Sequence, residues 1–118
     1  MTYKLIALPE VRLYLTDLIR ILIEKEYFSF EDNAIEYVTD LVSEIEKDLP
    51  AKVRKPAPAY FSRYGEGLFY SSFRKNRETI WYVFFTIHYD ELLDTETFLI
   101  RYISNNHVIA QHLFNQDQ

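Results

Sequence analysis

Between residues 51 and 89 the chain sets seven Lys and Arg against two Glu, and the same stretch is dense in aromatic rings. That pairing of residue types is what stacking on bases and neutralising phosphates require. Residues 79–89, TIWYVFFTIHY, alternate as a strand would. One face is Trp81, Val83, Phe85 and Ile87, wholly apolar; the other is Ile80, Tyr82, Phe84, Thr86 and His88. Beside them Leu68, Tyr70, Ser72 and Arg74 alternate with Phe69, Ser71 and Phe73. A partly open surface of Tyr, Ser, Thr, His and Arg follows, with Tyr82 and His88 as candidate contacts to RNA. Rings at alternating spacing also serve as cross-strand core pairs, so each ring carries both readings. The opposite charge collects upstream: residues 26–48 hold eight acids and one Lys. The formal net charge of −5 therefore conceals a bipolar molecule.

Other chemistries are excluded or left without residues. The chain has no cysteine, hence no disulfide, no thiolate nucleophile and no thiolate zinc site. Its two glycines, Gly65 and Gly67, cannot supply a phosphate loop or a dinucleotide fingerprint. Of the three histidines, His107 and His112 stand five apart, which keeps them from sharing a metal as an i, i+4 pair would. No metal and no cofactor is expected. Arg101, between Ile100 and Tyr102, reads either as an ion-pair partner for an acid or as a further phosphate contact. The N-terminus is too short and too soon charged for a signal peptide, and no run approaches the ~20 apolar residues of a membrane span. The expectation is a soluble, cytoplasmic protein without a membrane partner.

The elements that must position these groups are legible in outline. Tyr3–Leu8 alternates and runs into Pro9, a strand followed by the first turn of a helix. Val11, Tyr14, Leu15, Leu18 and Leu22 then recur at helical spacing, and Ile19, Ile21 and Ile23 widen the stripe towards burial on two sides. Ser29 with Asp32 has the form of a capping box before a second helix whose stripe is Ile35, Val38, Val42, Ile45 and Leu49, stopped by Pro50. A basic linker, residues 51–58, precedes three expected strands at Tyr60–Tyr64, Leu68–Arg74 and Thr79–Tyr89. After an acidic loop, Asp90–Glu96, come a fourth strand, Thr97–Ser104, and a short helix, His107–Phe114, capped by Asn105 and Asn106. Residues 115–118 should fray. At 118 residues and 48% hydrophobic content the chain fits one domain over 1–118. The fold class expected is α+β: an N-terminal strand, a helical hairpin, an antiparallel sheet of about four strands and a short C-terminal helix.

The opening YKLIALPEVRLYLTDLI resembles the start of bacterial RelE/ParE-type toxins, the toxin components of type II toxin-antitoxin modules. GLFYSSFRKNRETIWYVFF is similar to their central strands, and FLIRYISNNHVIAQHL to their last strand and C-terminal segment. The resemblance implies a RelE-like fold and a small toxin neutralised by a cognate antitoxin. RelE-like members cut mRNA without metal, often on the ribosome; ParE-like members inhibit DNA gyrase, and an inactive antitoxin-binding relative is the remaining alternative. For cleavage it implies Arg74 and Arg77 as stabilisers of the charged transition state, Lys55 and Arg63 as phosphate-steering groups, and His107 or His112 as acid and base. Where many members carry a His-Arg pair after the last strand, this chain has Asn105, Asn106 and His107.

Overall fold

The computed structural model describes residues 1–25 and 31–114. Ser29 of the expected capping box and the tail 115–118 lie outside the described residues. The protein is α+β: strand β1 (Thr2–Ala7), helices α1 (Pro9–Glu24) and α2 (Glu31–Asp48), strands β2 (Lys55–Pro56), β3 (Phe69–Arg74), β4 (Ile80–Asp90) and β5 (Thr95–Asn105), and helix α3 (Asn106–Phe114). The sheet runs in the order β1-β5-β4-β3-β2.

It is mixed rather than purely antiparallel. β1 lies parallel to β5, Leu5 opposite Phe98 and Ala7 opposite Ile100. The Leu8 amide still donates to the Ile100 carbonyl at 3.0 Å, and Pro9 then starts α1, where its missing N–H costs nothing. The chain must leave the sheet here, and α1 and α2 cross one face before it returns.

That inner face is the expected apolar one. Trp81, Val83 and Phe85 of β4 join Phe73, Phe98 and the stripes of both helices in one core. The α2 stripe is rotated from the sequence expectation: Ala34, Val38, Leu41 and Ile45 are buried, whereas Ile35 is 39% exposed. α1 is covered on one side, with Ile19 and Ile23 half-buried and Leu13 68% exposed. A hydrogen bond from Trp81 Nε1 to the Tyr37 hydroxyl, 2.9 Å, pins β4 to α2.

Tyr60–Tyr64 is not a strand. Pro58 precedes a 3-10 turn, Ala59–Tyr64, in which Phe61 and Tyr64, three residues apart, reach the same side. Phe61 is fully buried and packs with Leu68, Tyr82, Phe84, Ile109 and Leu113 into a second core on the outer face. The basic linker also contributes β2, whose Pro56 sits at a sheet edge, the one place where a missing ladder donor is tolerated. The acidic segment is shorter than expected, because β4 runs to Asp90 and β5 begins at Thr95. Asp94, at φ 48°, makes the turn and holds the Met1 amine at 3.3 Å and the Tyr89 hydroxyl at 2.8 Å.

Among the described residues no helix is long and apolar enough to cross a membrane.

Candidate nucleic-acid interface

Antiparallel register decides which outer-face side chains meet. Lys55 lies opposite Tyr70, Tyr70 opposite Phe84, and Phe84 opposite Tyr102. The next row is Ser72, Tyr82 and Ser104, and the one beyond places Arg74 opposite Ile80. α3 and the 3-10 turn bury the middle of this face, so Tyr82 and Phe84 are 3% and 0% exposed. The β2–β3 edge stays uncovered. There Lys52, Lys55, Tyr70, Ser72 and Tyr82, with Ala51, Val53 and Ser71, line a cleft of about 520 Å³. Ser71 Oγ donates to the Val53 carbonyl at 2.9 Å and ties the linker to β3.

Burial pushes the Tyr82 hydroxyl above its ordinary range, the neighbouring Tyr70 adds to this, and the Arg74 guanidinium partly opposes it. Tyr82 therefore holds its proton at neutral pH next to a cation. Arg74 itself donates through Nη1 to the carbonyls of Asn76 (3.2 Å) and Arg77 (3.1 Å), which ends β3 in a fixed turn. Arg77 is exposed in that turn, with no side-chain partner among the described residues. The cation tied to the helices is Lys75, 4.0 Å from Glu44 and 5.3 Å from the Tyr37 ring centroid.

The other expected site residues fall elsewhere. Arg63 lies over the rings of Tyr60 (4.9 Å) and Tyr64 (5.2 Å), outside the cleft. His112 stacks on Tyr60 with centroids 3.6 Å apart and planes at 4°. His107 Nε2 is 3.1 Å from Thr79 Oγ1, and its amide donates to Asn105 Oδ1, the expected cap. Asn106 locks the start of α3 onto β4: its Oδ1 accepts from the Ile80 amide and its Nδ2 donates to the Glu78 carbonyl, both at 2.9 Å. His112 thus holds α3 to the 3-10 turn, and His107 holds it to Thr79 at the β3–β4 hairpin. His88 is at the far end of β4, its Nε2 2.9 Å from Thr86 Oγ1. Among the described residues no group of three or more His, Asp or Glu could hold a metal ion.

What the arrangement can do is bind phosphate: the Lys55 ammonium, the Arg74 guanidinium further along β3, and hydroxyls between them, while the Lys52 ammonium lies 4.5 Å over the Phe73 ring. Lys52, Tyr70 and Ser72 are additions to the sequence-derived site. The i, i+2 alternation leading into Arg74 carried the signal for Tyr70 and Ser72; Lys52 depends on the path of a linker that no periodicity encodes. Comparison with protein-family models, with curated proteins and with solved structures finds no match to the chain.

Proposed function

We propose that the protein is the toxin of a type II toxin-antitoxin module, a RelE/ParE-type protein acting in the cytoplasm on single-stranded RNA and restrained by a cognate antitoxin. The observation that carries this reading is the uncovered β2–β3 edge, where Lys55, Tyr70, Ser72 and Tyr82 line one cleft and Arg74 follows two residues further along β3, outside its lining. The element order strand, helix, helix, strands, helix supports it.

In a cleavage reaction the ribose 2′-oxygen bonds to the adjacent phosphorus as the bond to the 5′-oxygen breaks, leaving a cyclic phosphate and a 5′-hydroxyl. Lys55 and Arg74 neutralise the charge that builds on the phosphate oxygens. Tyr82, which keeps its proton, donates to the departing 5′-oxygen. The proton of the 2′-hydroxyl needs a base, and no histidine or carboxylate lines the cleft. That observation favours a second reading, in which the protein grips its target without cutting it, whether a strand of RNA, the ribosome or, as for ParE-like members, DNA gyrase.

Inducing the protein in bacteria while mapping RNA 5′ ends separates the two. Growth arrest with new 5′-hydroxyl ends, both lost in Arg74→Ala, is the outcome for the nuclease. Arrest with intact RNA and failing supercoiling would transfer the proposal to the gyrase branch, and unimpaired growth would reject toxicity altogether.

A further inference from the structure

A second cleft opens on the opposite flank of the sheet, where β1 has ended and the last residues of β5 run against α1. Glu10 and Tyr14 of α1, Tyr64 of the 3-10 turn, and Arg101, Tyr102 and Ser104 of β5 enclose about 400 Å³. At its base is Arg101. Register passes from Phe84 opposite Tyr102 to Phe85 opposite Ile100, so Arg101 is the extra residue of a β-bulge, a device that re-aims a side chain.

Its side chain is half-buried and held from several directions. Nε donates to the buried Thr86 hydroxyl at 2.9 Å, and Nη1 to the Tyr64 carbonyl at 3.4 Å. Gly65, at φ 150°, leaves room for it; a Cβ there would come within 2.9 Å of Arg101 Cδ. Among the described residues no carboxylate pairs with it, which removes the ion-pair reading left open by the sequence. An anion in the cleft would supply the counter-charge that the half-buried guanidinium lacks among the described residues. The remaining N–H groups of the fork are available to a pair of oxyanion oxygens.

We propose that this cleft is a nucleotide site, in which Arg101 receives the phosphate and the tyrosine walls receive the attached ring. Tyr64 and Tyr102, stacked on each other with centroids 4.1 Å apart and planes at 7° and with the Arg63 guanidinium over the Tyr64 ring, give the cleft an aromatic side for a base. Tyr14, whose hydroxyl burial pushes up to about 12, keeps its proton and donates to the anion, while the buried Ser104 hydroxyl bonds Tyr102 and holds that wall in place. Glu10, exposed at the rim, repels phosphate and accepts from ribose hydroxyls, so the phosphate faces inward. The nucleotide is either free or a unit of a single strand; the second source rests on the RNA reading above.

Calorimetric titration of the full chain with uridine monophosphate, uridine, inorganic phosphate and a uridine hexanucleotide tests this. Uridine monophosphate should saturate the protein, with uridine and phosphate each weaker by about tenfold or more. Arg101→Gln should lose about tenfold or more in affinity for the monophosphate. Arg101→Lys and Ser104→Ala, which disturb the fold least, should each lose affinity by about threefold or more. Tighter binding of the hexanucleotide than of the monophosphate names the strand as source, and the reverse names the free nucleotide. Absence of saturable binding to either, or wild-type affinity in Arg101→Lys and Ser104→Ala proteins that unfold as wild type does, overturns the site. Growth arrest without nucleotide binding would reject this cleft alone, and nucleotide binding without arrest would reject the toxin reading alone.

Discussion

The two faces of the sheet use the same kinds of residue for different ends. On the inner face Trp81, Val83 and Phe85 meet two long helices and disappear into one continuous core. On the outer face Tyr82 and Phe84 are buried as thoroughly, but under a nine-residue helix and a six-residue 3-10 turn that together cover only the middle. A short cover leaves both flanks open, and the polar ends of the buried tyrosines emerge there. Tyr82 faces Lys55 and Ser72 on one side, and Tyr102 faces Arg101 and Tyr14 on the other. The lesson is that the outer layer is a partial core at whose uncovered margins polar and cationic side chains gather.

If the outer layer is a true core, truncating it should cost as much as truncating the inner one. Phe84 and Phe85 are adjacent, both 0% exposed, and point to opposite faces. Phe84→Ala and Phe85→Ala should each destabilise by about 3–5 kcal/mol in denaturant unfolding. A loss below ~1 kcal/mol for Phe84→Ala alone would reduce the second cluster to loose cover. A smaller effect is expected where α3 is fastened. Asn106→Ala removes two hydrogen bonds to the start of β4 and should cost about 1–2 kcal/mol, with faster amide exchange in α3 than in α2. On the inner face Tyr37→Phe leaves the Trp81 indole N–H without its partner, at a cost of about 1–2 kcal/mol.

The smallest and most selective comparison is with pH. Tyr14 is raised to about 12, and burial also raises Tyr82 and Tyr102. A raised folded value means that the folded state keeps its proton while the unfolded chain gives its up near 10. The stability these tyrosines contribute is therefore constant below pH 10 and declines as pH climbs towards 12. Tyr14→Phe should flatten that decline in urea titrations at high pH; an undiminished decline would contradict this.

Much of this was legible in the sequence, and the exceptions have physical causes. Period-2 alternation located β4 and assigned its inner face residue by residue, because one buried face admits only one register. Pro9 and Asn105 marked helix starts through chemistry that is local to a few residues. The 3-10 turn at Ala59–Tyr64 was missed because its rings, read along the chain, look like a strand; their placement is set by the distant Phe84 and Leu113. The parallel pairing of β1 with β5 joins segments some 93 residues apart, and nothing local encodes it. The resemblance assigned His107 and His112 to acid and base; their contacts with Thr79 and Tyr60 join distant segments and are encoded by no local pattern. The bulge at Arg101 depends on the register between β4 and β5 and has no sequence signature.

The central claim is that RNA lies along the β2–β3 edge. Photocrosslinking purified protein to single-stranded RNA carrying 4-thiouridine, followed by mass spectrometry of the peptides, tests it directly. The account predicts crosslinks concentrated on residues 52–55 and 70–74 and at Tyr82, reduced by Lys55→Ala and Arg74→Ala but not by Arg12→Ala on the helical side. Crosslinks confined to α1 and α2, or none above background, would contradict it.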